Sequence, residues 1–139
     1  MSVRKGDQAK GKLRVIVASQ ELVKYTYDCV RGKTFPKADR WIMPKSIWDE
    51  ISSAHTKIVR ANQLRTDEKE EAMTRLRLQK EAIGHLDAAA SLIDLANVSG
   101  TISDDKTEFW TSLVVKTQNL AKGWNKTDHN NVRRNFGNF

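Results

Sequence analysis

The chain has 139 residues, of which 39% are hydrophobic and 29% charged, and its net charge is +7 at pH 7. This length allows one hydrophobic core but not two independent ones, and two prolines and seven glycines are too few for a disordered protein. No apolar run approaches the roughly 20 residues that span a bilayer, no secretory signal begins the chain, and Cys29 has no partner for a disulfide. We therefore expect one folded domain in a reducing, cytoplasmic setting, without membrane association.

The first third of the chain predicts a basic arm, a helix and a turn. Residues 1–12 are rich in Gly, Lys and Gln without periodicity, which is typical of a flexible N-terminal arm. From Leu13 to Arg31 apolar residues recur at helical spacing, and Gly32 is suited to end this first helix. Residues 33–37 then turn the chain, because Pro36 offers no N–H donor and restricts the residue before it.

A second helix follows the turn. Apolar residues three and four apart from Trp41 to Asn62 form one face over about five helical turns. Pro44 either occupies the first turn, where its missing N–H matters little, or kinks a helix that begins near Lys37. The spacing is compatible with both arrangements.

The third helix is predicted to be the longest, with about 30 residues. Thr66 or Asp67 is expected to cap it, and its apolar face extends from Ala72 to Ile93. Three further acids in its first turns complement the positive end of the helix dipole.

A fourth helix completes the predicted architecture. The run Ser103-Asp104-Asp105 is expected to cap it, and its apolar face ends at Trp124. Residues 125–139 are rich in Asn, include Arg133 and Arg134, and predict a second flexible basic tail. Four helices with short joints predict an all-α, antiparallel up-down four-helix bundle over residues 13–124.

Residues that could carry chemistry are scattered. The spacing of His55, His85, His129 and Cys29 places no two metal ligands on one helix face. His55 lies on the apolar face of helix two, where a hydrogen-bonded core or interface histidine is expected rather than a catalytic one. The clustered carboxylates occupy helix starts, where they serve as caps, and no phosphate loop or nucleophile motif occurs. We expect a protein that is not an enzyme and has no metal and no cofactor.

Positive charge is concentrated in the two tails and the first half of the bundle. Residues 1–14 carry five Lys/Arg against one acid, and residues 15–65 carry nine against five, whereas residues 66–99 reverse to four against seven. Such a distribution attracts a polyanion more strongly than the net charge implies, although solubility alone is the competing explanation. The four tryptophans lie on apolar faces, so we expect them in the core or at subunit contacts rather than as base-stacking platforms.

A set of cations is expected to bind nucleic acid or a partner protein through contacts with phosphates or other anions. Arg77 and Lys80 lie three residues apart on helix three and could act as a two-point clamp. The expected interface residues are Lys33, Lys37, Arg40, Lys57, Arg60, Arg65, Arg77, Lys80, Arg133 and Arg134.

The run Lys33-Thr34-Phe35-Pro36-Lys37-Ala38-Asp39-Arg40-Trp41, followed by Arg60-Ala61-Asn62, resembles the four-helix-bundle family of ribosomal intervening-sequence proteins. That family includes the accessory variability proteins of diversity-generating retroelements. Three features are more similar to this branch: Leu76-Arg77, the joint at residues 100–103, and the run at residues 120–124. Gln63-Leu64-Arg65 stands where the ribosomal branch usually has Ile-Ala-Glu-Gly, which also favours the accessory branch.

This resemblance covers residues 17 to 126 and implies a non-catalytic homopentamer, shaped as a basic barrel. Such a protein binds the retroelement's reverse transcriptase and its template RNA, and assists mutagenic copying; DNA is an open alternative ligand. Among the residues of this chain, the resemblance implies a binding role for Lys37, Arg40 and Arg77. Two alternatives stay open: an RNA-binding bundle of the ribosomal intervening-sequence type, and a protein-only helical adaptor, for example of a phage.

Overall fold

The protein is an all-α four-helix bundle, as predicted. The computed structural model describes residues 3–39 and 42–137, and the side chains of residues 14–38 and 42–137. The helices are α1 (Val3–Arg31), α2 (Met43–Asn62), α3 (Lys69–Val98) and α4 (Asp104–Phe136), with a short 3₁₀ turn at Lys37–Asp39. In each of the four helices the buried residues recur at helical spacing along one side, so that each helix presents one face to a shared core.

The helices form a closed ring in which α1 packs on α2, α2 on α3, α3 on α4 and α4 on α1. Neighbouring helices run antiparallel: as the residue number rises along one helix, the number of its contact residue on the next helix falls. On α3 and α4, Gln79 bonds to Asn125 whereas Asp87 bonds to Gln118; between α1 and α4, the pairs are Glu21 with Lys116 and Thr26 with Trp110.

The joint between α1 and α2 is anchored by buried aromatic packing. Phe35 is 2% exposed and packs edge-on against Trp110, whose indole Nε1–H donates to Thr26 Oγ1 at 3.0 Å. Gly32 is required where α1 ends, because a Cβ at this position would lie 2.9 Å from the Asp28 carbonyl oxygen. Pro44 is buried in the first turn of α2, which decides between the two arrangements left open by the sequence.

One of the two helix N-caps is the predicted one, and the other is a different residue. Ser103 caps α4, as predicted, by accepting a hydrogen bond from the amide of Lys106 at 3.2 Å. The cap of α3 is Glu68, whose carboxylate accepts from the amides of Glu70 and Glu71, rather than Thr66 or Asp67. Asp67 is engaged instead by the guanidinium of Arg65 through two bonds of 2.8 Å.

The helices extend past the predicted limits of the bundle at Leu13 and Trp124, since α1 begins at Val3 and α4 continues to Phe136. Extension of an existing helix needs no new nucleus, and residues 3–12 contain mostly good helix formers. In residues 125–136, Val132 is 1% exposed and packs against Ala72 and Leu76 in a second apolar cluster. These residues are therefore part of the fold rather than a flexible tail.

Candidate nucleic-acid interface

The antiparallel order of the helices brings seven of the ten predicted interface cations to the same half of the bundle. We call this the basic half: the end of α2, the α2–α3 joint, the first half of α3 and the end of α4. Asn135 of α4 bonds to the Thr66 carbonyl in the joint at 3.5 Å, which places these segments side by side. The cations concerned are Lys57, Arg60, Arg65, Arg77, Lys80, Arg133 and Arg134.

The other three predicted cations do not belong to this group. Lys33 and Lys37 are located at the α1–α2 joint, which lies at the opposite end of the bundle. Arg40 lies outside the described residues. The turn motif and the clamp on α3 therefore do not form one continuous site.

Arg77 and Lys80 line a cleft between α3 and α4, which we call the basic cleft. Its volume is about 540 Å³, and its lining residues are Met73, Leu76, Arg77, Lys80, Glu81 and His129. His129 alone comes from α4, one turn before Arg133. The structure thus brings the two clamp residues to one concave surface and adds an apolar floor and an imidazole, which the sequence did not predict.

Glu81 lies within the basic cleft but does not cancel its positive charge. Its carboxylate accepts from Lys57 Nζ at 3.0 Å and from Arg77 Nη1 at 2.7 Å, and these two cations lower its pKa. One ionised carboxylate therefore faces Lys57, Arg77 and Lys80, and Lys80 has no ion pair with any described residue. A net positive charge remains on the cleft wall.

The remaining cations of the basic half differ in whether they form an ion pair with a carboxylate. Arg65 is bound by Asp67 at both carboxylate oxygens, and this hydrogen bonding lowers the pKa of Asp67. Arg60, Arg133 and Arg134 are exposed, and within the described part of the chain they pair with no carboxylate. The three unpaired arginines are thus better placed than Arg65 to meet an incoming anion.

A second cleft between the same two helices, at the opposite end, has the opposite charge. It is lined by Asp94, Asp104 and Glu108 together with neutral side chains of α3 and α4. Because like charges repel, this second cleft disfavours a polyanion such as nucleic acid. The α3–α4 surface is therefore polarised along its length, from the basic cleft to an acidic one.

A buried ionic network supports the basic cleft from below. Arg75 is 1% exposed and Asp128 is 4% exposed; Arg75 Nε donates to Asp128 Oδ2 at 2.6 Å. Arg75 Nη1 also donates to the Leu64 carbonyl at 2.8 Å, and Gln79 Nε2 donates to the same carboxylate oxygen at 2.6 Å. The network joins the α2–α3 joint, α3 and α4, and thereby fixes the helices that carry the cleft.

Arg75 and Asp128 were not among the residues selected from the sequence. The sequence held one signal, because Arg75 lies three residues after Ala72 and four before Gln79, on the core face of α3. Asp128 similarly continues the buried positions Ala121 and Trp124 of α4. A charged residue at a core position on each of two helices indicates a buried pair once the helices are known to be neighbours.

His55 lies between α1 and α2, where it was expected in a hydrogen-bonded core position. Its Nδ1 is 2.7 Å from Ser19 Oγ, which also donates to the Ile16 carbonyl at 2.9 Å. The tautomer of His55 determines whether its Nδ1 donates to the Ser19 hydroxyl or accepts from it. Burial lowers the pKa of His55.

This shift predicts that the protein loses stability as the pH falls below about 6.5, the usual pKa of histidine. A histidine whose pKa is lowered by folding binds more protons in the unfolded state, so acidification favours unfolding. We expect His55→Asn, which keeps a neutral N–H donor near Ser19, to flatten the dependence of the unfolding free energy on pH between about 7 and about 5. Urea unfolding at several pH values measures this; identical slopes for both proteins would contradict it.

Within the described residues, no three His, Cys, Asp or Glu side chains come close enough to hold a metal ion. The same part of the chain contains no helix that is long and apolar enough to cross a membrane. Comparison with known proteins found no match among family models, curated proteins or solved structures.

Proposed function

We propose that this protein is a non-catalytic nucleic-acid-binding bundle that acts as an accessory protein of a diversity-generating retroelement. One observation carries the nucleic-acid part: Arg77 and Lys80 line a single cleft, with Lys57, Arg60, Arg133 and Arg134 on the same half of the bundle. Cations grouped on one half act together on a polyanion, whereas cations spread evenly for solubility would not leave the opposite cleft acidic.

The retroelement part of the proposal is supported by the motifs that resemble accessory variability proteins. In this proposal the protein binds template RNA and the reverse transcriptase, assembles as a homopentamer, and assists mutagenic copying. Two experiments test it: copurification with the element's reverse transcriptase after nuclease treatment, and the molar mass in solution by light scattering. A monomer that does not retain the polymerase would contradict the proposal.

The nucleic-acid part is tested by a salt titration of RNA binding. Each phosphate that a Lys or Arg neutralises releases counterions, so log affinity should fall linearly with log salt, with a slope of about −0.7 per contact for single strands. Fluorescence anisotropy of a labelled RNA oligonucleotide measures the slope. A flat response or no binding would favour the protein-only adaptor, whose positive charge serves solubility.

The ribosomal intervening-sequence type of bundle is the second candidate, and the turn from Lys33 to Lys37 favours it as much as the leading one. For this candidate, too, log affinity for RNA should fall with log salt. It differs in its partner, since such a protein would bind ribosomal RNA and would not retain a reverse transcriptase. The copurification experiment therefore separates the two.

A further inference from the structure

The floor of the basic cleft is apolar, although binding to phosphates does not require an apolar surface. Met73 is 38% exposed within the cleft, and Leu76 lies beside it. Arg77 and Lys80 line the same cleft and are exposed to solvent. The arrangement is that of a recess for a flat apolar group, with cations next to it for attached charges.

The two helices that form the cleft offer different but complementary surfaces for an aromatic ring. His129 comes from α4, and Met73 on the apolar floor comes from α3. Imidazole rings stack on nucleobases, and the polarisable thioether of methionine makes favourable contacts with aromatic rings. A ring that enters between α3 and α4 would meet one of these side chains from each helix.

The size of the cleft agrees with such an occupant. Its volume of about 540 Å³ lies within the roughly 300–1,000 Å³ typical of sites for small organic molecules, which is ample for a nucleobase with its sugar. Arg77 and Lys80 are neighbours on the helix surface, about 5–6 Å apart between Cβ atoms, and can contact the phosphates that flank the base.

A duplex cannot use the floor of this cleft. Its bases are paired and stacked inside the helix, so it presents phosphates and groove edges to a protein, whereas an unpaired base is free to leave the stack. A duplex would therefore contact Arg77 and Lys80 but not Met73 and Leu76.

From these observations we infer that the basic cleft binds an unpaired nucleobase, so that the protein prefers single-stranded over double-stranded nucleic acid. The inference rests on the proposed nucleic-acid binding and specifies its substrate class. The occupant is a segment of single-stranded RNA or DNA whose base lies between Met73 and His129 and whose phosphates contact Arg77 and Lys80.

Competition between strand types tests the inference. Anisotropy is measured with unstructured single-stranded RNA, single-stranded DNA and a blunt duplex, each of about 16 nucleotides or base pairs, near the upper end of single-strand site sizes. We expect both single strands to bind about tenfold more tightly than the duplex or better. Equal or tighter binding of the duplex would overturn the inference and leave the proposed function intact, whereas no binding of any probe would overturn both.

A double variant, Met73→Ala with His129→Ala, tests the role of the cleft itself. Since stacking on a base is removed while the cations remain, single-strand affinity should fall about tenfold, with an unchanged salt slope and unchanged duplex affinity. His129→Phe is the matched rescue variant, because it keeps an aromatic face and should retain the preference for single strands.

Two outcomes of that experiment would overturn the inference. An equal loss of affinity for single strands and duplex would show a general structural effect, which the melting temperature of each variant would reveal. Unchanged affinity for both probes would show that the cleft does not hold a base.

Discussion

Reversal of two charges in the basic cleft, Arg77→Glu with Lys80→Glu, should weaken nucleic-acid binding at least about tenfold, or about 1.4 kcal/mol. Both side chains are exposed on one wall of the cleft, so the change replaces attraction for a phosphate by repulsion without disturbing the core. The salt slope for single-stranded RNA should also become less negative, by about 0.7 for each phosphate that the variant no longer neutralises. Anisotropy titrations at several salt concentrations measure both effects.

The matched control reverses two cations outside the basic half, Lys24→Glu with Lys45→Glu. Each of these lysines is exposed and pairs with an aspartate one turn later, as Arg77 pairs with Glu81. Both double variants replace two cations by two acids, and the net charge therefore changes by the same amount. We expect only the small decrease in affinity caused by the altered net charge. Equal decreases in the two double variants would mean that total charge, rather than the basic half, determines binding.

Removal of the buried carboxylate by Asp128→Ala should destabilise the protein by about 3–5 kcal/mol. The guanidinium of Arg75 would be left buried without its counterion, and Gln79 would lose the acceptor of its amide. Because small domains have only about 5–15 kcal/mol of stability, the effect approaches the whole of it. Urea unfolding followed by circular dichroism measures the change, and Asp128→Asn, which keeps the shape, provides a milder test.

Two further variants show whether the buried charge is the cause. Asp67→Ala breaks an exposed ion pair with Arg65 and should change the unfolding free energy by no more than about 1 kcal/mol. Arg75→Met combined with Asp128→Leu replaces both charges by apolar groups and should recover most of the stability. Similar effects of Asp67→Ala and Asp128→Ala would contradict the account of the network.

The four helices and their joints were predictable because each helix has apolar residues three and four apart, and because Gly32 and Ser103 are residues that favour helix ends. The role of Pro44 was left open by the sequence and was decided by the structure. The last turns of α4 were not, because a buried aspartate at position 128 interrupts the apolar pattern between Trp124 and Val132. A polar residue at a core position is recognised only once its partner on another helix is known.

The cations were predictable as candidates, but their grouping was not. Nothing in the spacing indicates that Lys57 and Arg77 share one carboxylate, that Arg65 is held by Asp67, or that Arg75 is buried. These differences depend on how the antiparallel helices align. The basic cleft likewise needed His129, which lies in the segment expected to be a flexible tail.

Photo-crosslinking shows whether nucleic acid binds at the basic half of the bundle. An RNA oligonucleotide that carries a photoreactive base is irradiated with the wild-type protein, and the attached peptides are identified by mass spectrometry. The account predicts crosslinks within residues 73–81 of α3 and around His129 of α4. Crosslinks confined to the acidic cleft around Asp94, Asp104 and Glu108, or none at all, would contradict it.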